Sequence, residues 1–171
     1  GSEMCIRDRY ERYMQEFSVN AYDPRDWARR AKRAGMQYVV LTAKHHDGFC
    51  LFDSKLTDYK STNAPCGRDL VREFVDAVRA EGLRVGLYYS LIDWHHPDFP
   101  KYNDCNHPMR GDPAYQDEKI DFDRYLAYMH GQIEELVTNY GRIDILWFDY
   151  AYDELRGEAW RATDLIRMVR R

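Results

Sequence analysis

The sequence predicts an α/β protein built on a parallel sheet, and three observations support that fold class. Three apolar segments, residues 36–43, 83–90 and 143–149, have the near-continuous hydrophobicity of strands buried on both faces. Segments with helical spacing of apolar residues separate them, so right-handed βαβ crossovers are the expected connections. A doubly wound sheet and a (β/α) barrel both fit this order, but no glycine-rich phosphate-binding loop follows any of the three strands.

The first two helices carry clear start and stop signals. Asp23 followed by Pro24 is typical of a helix N-terminus, and Gly35 is expected to end that helix before the first strand. Asp69 can cap the next helix, which is expected to end at Gly82 before the second strand.

The second half of the chain is organised around one long loop and one long helix. Residues 91–114 hold four of the six prolines and are predicted to form a loop, which at this length is usually functional or mobile. A helix is predicted over residues 116–140, followed by the third strand and a last helix over residues 157–171.

Length and composition exclude several classes of protein. The chain has 171 residues, which is enough for one domain but less than the roughly 250 residues of a complete eight-unit barrel. The net charge of −4 gives no electrostatic reason to expect nucleic acid or an anionic membrane as partner. No apolar run approaches the roughly 20 residues that a membrane-spanning helix requires. No cysteine pair has CxxC spacing, so no structural zinc site is predicted. The chain is not short and cysteine-dense, so no disulfide framework is implied either.

The first nine residues are expected to be foreign to the natural protein. Gly1-Ser2 resembles a cloning remnant, and residues 2–9 resemble translated sequencing-adaptor read-through. The domain is therefore expected to span residues 10–171, and the compartment stays open between periplasmic, secreted and cytoplasmic.

Polar and aromatic side chains follow all three predicted strands, at the edge where parallel α/β folds hold their functional sites. Asp149 ends the third strand, and strand alternation places Ile145, Trp147 and Asp149 on one face. An indole beside a carboxylate suits a sugar ring, because the ring stacks on the indole while the carboxylate reaches the anomeric carbon. The alternative role for Asp149 is a loop cap or an ion pair.

Adjacent imidazoles follow the first strand, and adjacent phenols end the second. His45 and His46 could hydrogen-bond sugar hydroxyls or bind a metal, and one of them could instead be a structural donor. Tyr88 and Tyr89 lie on opposite faces, so one is expected in the core and the other at the rim.

Two further groups are less informative. His95 and His96, with Asp93 and His107, could add metal ligands, although a loop pair of this kind is most often simply exposed and no HxH or HExxH spacing occurs. Cys50 and Cys66 are predicted to be inert thiols, because no spacing places a histidine in reach of either.

Three motifs carry a family resemblance over about residues 16–171. The stretches VVLTAKHHDGFCLFDS from Val39, GLYYSLIDW from Gly86 and LWFD from Leu146 resemble the signature of α-L-fucosidases of glycoside hydrolase family twenty-nine. The resemblance implies a catalytic (β/α)8 TIM-type barrel, of which this chain would be an internal fragment, and retaining hydrolysis of terminal α-L-fucose from fucosylated glycans.

The resemblance also implies roles for individual residues. Asp149 matches the nucleophile, His45 and His46 match the histidines that bind fucose hydroxyls, and Trp147 matches a pocket residue. A tyrosine of the YYS motif also lines the family's pocket. We expect this to be Tyr89, with Tyr88 as the alternative. No metal or organic cofactor is implied.

Family features are also missing from this sequence. Nothing before residue 16 supplies the first strand with its own fucose-binding histidine or the Glu-Trp pair that follows it, and the chain ends before the region that holds the acid/base carboxylate. Glu154 and Glu158 follow the nucleophile, but no family motif places either in that role. The fragment alone is expected to be inactive and prone to aggregation, since an open barrel leaves strand edges unpaired. A metal-dependent barrel hydrolase using His45, His46, Asp93 and Asp149, and a catalytically silent carbohydrate-binding relative, stay open as alternatives.

Overall fold

The computed structural model describes residues 5–102, 107–150 and 155–171, with side chains from residue 11 onward. Within these ranges the helices are α1 Cys5–Glu16, α2 Pro24–Arg33, α3 Leu70–Ala80, α4 Phe122–Asn139 and α5 Ala162–Val169. The strands are β1 Tyr38–Lys44, β2 Arg84–Ser90 and β3 Ile145–Asp149. None of the helices in the described ranges has the length and apolar character needed to cross a bilayer.

The three strands form one parallel sheet in the order β1-β2-β3, with β2 in the middle. The predicted α/β class and the parallel direction of the strands are confirmed. Closure of the sheet into a barrel stays a prediction, because three strands do not distinguish a barrel segment from an open sheet.

The two faces of the sheet have opposite environments. On the helix-facing side, Val85, Leu87 and Tyr89 of β2 are completely buried in one cluster with apolar side chains of α3 and α4. On the other side, which we call the open face, Trp147 is 55% exposed and Tyr38 is 53% exposed. This face carries Tyr88 of β2 in register with Trp147 of β3.

Aspartate side chains begin three of the helices. Asp23, Asp69 and Asp121 each accept a hydrogen bond from the backbone N–H three residues later, which satisfies one of the unpaired donors of the first turn. The predicted caps Asp23 and Asp69 are confirmed. Helix α4 begins at Phe122 and not near residue 116, because Asp121 caps it and a separate 3-10 turn occupies residues 113–115.

The N-terminal end of the chain forms a helix, and the C-terminal end differs from the sequence prediction. Helix α1 includes residues 5–9, which are expected to be foreign to the natural protein, and whether residues 1–9 are native stays a prediction. The predicted last helix is divided: a 3-10 turn covers Gly157–Trp160, and α5 starts after Arg161, whose φ of 50° interrupts the helical path.

Candidate active site

The carboxylate of Asp149 lies at the end of β3 on the open face, where two donors fix its orientation. The Tyr88 hydroxyl donates to Oδ2 over 2.8 Å, and the backbone N–H of Tyr150 donates to Oδ1 over 2.8 Å. Tyr150 has a φ of 70°, a left-handed conformation that is uncommon and strained for a bulky residue. The chain therefore changes direction directly after Asp149.

Tyr88 keeps its proton under all ordinary conditions. Burial raises the pKa of Tyr88 well above its usual value, and the hydrogen bond to the Asp149 carboxylate raises that pKa further. The phenol is therefore a fixed donor to the Asp149 carboxylate.

Two further rings surround Tyr88. Trp147 meets it edge-on with ring centroids 5.8 Å apart, and His45 stacks on it at 5.8 Å with an interplanar angle of 16°. His45 and Trp147 are both exposed, so their surfaces are available to a ligand that reaches Asp149. Tyr88, near the end of β2, therefore contacts His45, which follows β1, and both Trp147 and Asp149 of β3.

Both histidines belong to this group because the chain turns directly after β1. The Gly48 N–H donates to the His45 carbonyl, which closes a tight turn and brings the two imidazole centroids to 3.7 Å. His46 is buried, its Nδ1 lies 2.8 Å from Ser90 Oγ, and its ring lies 4.0 Å from that of Tyr150. Because β1 ends at Lys44, the alternation of side chains along a strand does not send the two histidines to opposite faces.

Tyr89 does not take part in this group. Its side chain is completely buried on the helix-facing side, and its hydroxyl donates to Gln132 Oε1 of α4 over 2.7 Å. Adjacent strand residues point to opposite faces, so only one tyrosine of the pair can face Asp149, and that residue is Tyr88. The expectation that Tyr89 lines the pocket is corrected accordingly.

A buried ion pair joins the ends of β1 and β2 beneath the histidines. A register shift at the end of β1 brings Lys44 opposite Tyr89, and Lys44 Nζ donates to Asp93 Oδ2 over 3.0 Å with both side chains inaccessible to solvent. Asp93 Oδ1 accepts the backbone N–H groups of His95 and His96. Although burial opposes ionisation, the Lys44 ammonium and these donors hold the pKa of Asp93 below its usual value.

Gly48 fits against this ion pair because it has no side chain. Its φ is 79°, and a Cβ atom at this position would stand 2.3 Å from Asp93 Oδ1. Any other residue would therefore be strained in its backbone and would also collide with the buried carboxylate.

The remaining histidines pack against other side chains. His95 is half-buried, stacks on Tyr59 at 4.2 Å and lies 3.1 Å from Glu11 of α1, while His96 is half-buried against Tyr125 and Tyr128. The expectation of a simply exposed pair is corrected. Burial lowers the pKa of His96, so its ring is more readily neutral. In the part of the chain that the structure describes, no three His, Cys, Asp or Glu side chains are grouped to hold a metal ion.

Cys50 and Cys66 are both free thiols. Burial raises the pKa of Cys50 to about 12, and the thiol accepts a hydrogen bond from Gln132 Nε2 over 3.2 Å. A buried thiol that does not ionise is a poor nucleophile, which agrees with the predicted inert role for Cys50.

Ser90 and Tyr150 also belong to this group, through their contacts with His46. Ser90 ends β2 within the YYS motif, and its position next to a rim tyrosine was the available signal. No sequence signal indicated Tyr150, since a left-handed conformation is not expected of tyrosine.

Comparisons with known proteins identify the family. A model of the alpha-L-fucosidase family matches residues 6–171. The chain belongs to this family.

Individual fucosidases agree closely in structure. Alpha-L-fucosidase isoenzyme 1 from Paenibacillus thiaminolyticus has a TM-score of 0.94 and 61% identity, covering 95% of this chain and 39% of that chain. The Thermotoga maritima alpha-fucosidase, solved in complex with fucose, has a TM-score of 0.73 and 34% identity over 94% of this chain and 35% of its own. The tissue alpha-L-fucosidase of Bos taurus is 31% identical over 161 residues, which are 92% of this chain and 31% of that protein.

The chain thus spans well under half the length of these fucosidases.

Of the two glutamates that follow the predicted nucleophile, Glu154 lies outside the described residues. Glu158 Oε1 accepts the backbone N–H of Thr163 over 3.1 Å, which is a local contact at the start of α5.

Proposed function

We propose that the full-length enzyme that contains this chain hydrolyses terminal α-L-fucose from fucosylated glycans by a retaining double displacement. The observation that carries the proposal is the group formed by Asp149, Tyr88, Trp147 and His45 at the carboxyl ends of three parallel strands. Membership of the alpha-L-fucosidase family supports the substrate class.

Asp149 is proposed as the nucleophile. One of its oxygens attacks the anomeric carbon as the bond from that carbon to the glycosidic oxygen breaks, which forms a covalent glycosyl ester. A carboxylic acid from outside this chain protonates the departing oxygen and then removes a proton from the water that hydrolyses the ester. Retaining geometry requires the two carboxyl groups to be about 5–5.5 Å apart.

The surrounding side chains are proposed to bind and orient the sugar. Trp147 offers an exposed indole for the apolar face of fucose, while His45 and His46 hydrogen-bond its hydroxyls. We propose Tyr88, and not Tyr89, as the tyrosine of the YYS motif that lines the pocket, because its hydroxyl holds the Asp149 carboxylate.

The three strands are proposed to be consecutive strands of a (β/α)8 barrel, with residues 10–171 forming part of its catalytic domain. The open face supports this arrangement, since it exposes Trp147 and Tyr38 in the way that an incomplete barrel exposes its interior.

Replacement of the nucleophile tests the mechanism. In the full-length enzyme, Asp149→Gly is expected to lower hydrolysis of an aryl α-L-fucoside by at least about a thousandfold, because no covalent intermediate can form. Added azide should partly restore turnover by entering the space that the carboxylate leaves. The wild-type product, followed by NMR immediately after bond cleavage, should have the anomeric configuration of the substrate.

Other outcomes would favour the alternatives. Near-normal activity of Asp149→Gly, or a first product of inverted configuration, would reject the nucleophile. Tight stoichiometric zinc or manganese in the purified full-length protein would favour the metal-dependent hydrolase. Binding of fucose by the wild-type protein without any turnover would favour a carbohydrate-binding relative.

A further inference from the structure

Ser90 lies between a backbone carbonyl and the imidazole of His46. Its hydroxyl oxygen is 2.9 Å from the carbonyl oxygen of Ile92 and 2.8 Å from Nδ1 of His46. Ser90 is completely buried and His46 is 6% exposed, so water cannot readily replace either contact.

A count of protons gives a direction to both hydrogen bonds. A carbonyl oxygen only accepts, so the contact between Ser90 and Ile92 requires the hydroxyl proton. Serine has a single hydroxyl proton, and once this is donated to Ile92 the oxygen can only accept from His46. Nδ1 of His46 must therefore carry a proton and donate it.

The carbonyl at the far end of this chain of contacts is itself held in place. Lys44 Nζ donates to the Ile92 oxygen over 3.3 Å and to Asp93 over 3.0 Å. Trp94 N–H donates to the His46 carbonyl over 2.7 Å, which joins the loop after β2 to the loop after β1. The Lys44–Asp93 ion pair thus fixes the Ile92 carbonyl, which accepts the hydrogen bond of the Ser90 hydroxyl.

We infer that Ser90 is a positioning residue that fixes His46 in the Nδ1–H form, so that in the neutral ring Nε2 is the acceptor nitrogen. A sugar hydroxyl that contacts a ring nitrogen of His46 has to do so at Nε2, because Nδ1 is bound to Ser90. Given the proposed function, which this step extends, His46 accepts a hydrogen bond from a fucose hydroxyl and does not donate one. His46 then favours a sugar with a hydroxyl group facing Nε2 over a sugar with a group there that can only accept hydrogen bonds.

The tautomer can be measured directly by nitrogen NMR. The full-length enzyme would be labelled with ¹⁵N-histidine, and the His46 signals would be assigned by their loss in His46→Asn. In the neutral ring, Nδ1 should show the shift of a protonated nitrogen and Nε2 that of an unprotonated one. Ser90→Ala should move His46 to the other tautomer or to a mixture, whereas Ser90→Thr, which keeps the hydroxyl, should restore the wild-type pattern.

A matched control separates this effect from a general loss of packing. Ser61 is also completely buried, and its hydroxyl donates to the Arg68 carbonyl over 2.7 Å without touching a histidine. Ser61→Ala should leave the His46 signals unchanged. Binding of free L-fucose, measured by calorimetry, should weaken by about tenfold or less in Ser90→Ala, the range expected for one misdirected hydrogen bond.

The outcomes distinguish this inference from the proposed function. A neutral wild-type His46 that carries its proton on Nε2, or a Ser90→Ala variant with an unchanged His46 pattern, would overturn the inference even if fucosides are hydrolysed. The expected pattern in an enzyme that does not bind or hydrolyse fucose would support the inference while the proposed function fails. The wild-type spectrum alone decides the tautomer, should Ser90→Ala not fold.

Discussion

Tyr88 and Tyr89 are adjacent in sequence and chemically identical, yet they occupy opposite environments. Tyr88 lies on the open face and donates to Asp149. Tyr89 is completely buried and donates to Gln132, whose amide nitrogen in turn contacts Tyr128 and Cys50. The first belongs to a group with an exposed side and the second to a closed polar network.

This difference indicates that the open face of the sheet carries the candidate active site, while the helix-facing side stabilises the fold. Burial raises the pKa of both phenols, so both act only as neutral hydrogen-bonding groups and their positions alone distinguish them. Around Tyr89, polar groups on the helix-facing side bond to one another, while the open face presents the Asp149 carboxylate. Substitutions on the helix-facing side should therefore change stability, and those on the open face should change catalysis.

The largest effect on stability is expected from Lys44→Met on the helix-facing side. Loss of the ammonium leaves the Asp93 carboxylate buried without its charged partner, which typically costs about 3–5 kcal/mol. Thermal unfolding of the full-length enzyme would measure the loss, with Lys55→Met, at an exposed position, as the control. A shift in Tm no larger than that of Lys55→Met would contradict this role for the ion pair.

The pH dependence of that loss provides a further check. The folded-state pKa of Asp93 lies below its unfolded value of about 3.9, so its contribution to stability is complete above that pH and declines as pH falls through the folded pKa. In Lys44→Met the charged form of the buried Asp93 carboxylate destabilises the folded state, and protonation of that carboxylate removes the destabilisation. The difference in Tm between wild type and variant should therefore begin to shrink above about pH 4, as pH falls through the raised pKa of Asp93 in the variant. It should continue to shrink below about pH 4, as the wild type loses its own contribution.

A paired substitution of the two tyrosines tests the comparison itself. Tyr88→Phe removes the donor that orients the Asp149 carboxylate, so kcat/KM should fall about ten- to a hundredfold. Tm should change little, because Asp149 is only half-buried and water can replace the lost donor. Tyr89→Phe leaves Gln132 Oε1 buried without its donor and should cost about 1–3 kcal/mol of unfolding free energy. Its effect on kcat/KM should be far smaller. A reversed pattern would refute the assignment of the faces.

The smallest effect on stability is expected from Trp147→Ala. An indole that is 55% exposed contributes little to the core, so the free energy of unfolding should change by no more than about 0.5 kcal/mol. Loss of the stacking surface should raise KM by about two- to tenfold. Trp27→Ala provides the control, because Trp27 is 44% exposed on α2 and should leave KM unchanged.

Helix starts and strand directions could be predicted because they depend on nearby residues. Asp23 and Asp69 bind amides only three residues away, so the sequence contains both partners of each contact. The start of α4 could not be placed, because residues 113–115 form a separate turn and only the Asp121 contact shows where the helix begins. The parallel direction of the strands follows from the intervening helices.

The grouping of polar side chains at the strand ends could be predicted from sequence, but their individual positions could not. Alternation along β2 shows that Tyr88 and Tyr89 face opposite sides, yet which side is the core depends on α4, more than 40 positions along the chain. The register shift that brings Lys44 opposite Tyr89 and the left-handed turn at Tyr150 are tertiary outcomes that no local pattern encodes.

The close approach of Gly48 to Asp93 has a practical consequence for engineering. A directed-evolution library aimed at the loop after β1 should keep glycine at position 48, because every other codon would push a carbon atom into the Asp93 carboxylate below. Variants with any other residue at position 48 are expected to misfold. Position 48 thus marks the point where the loop after β1 rests directly on the buried ion pair.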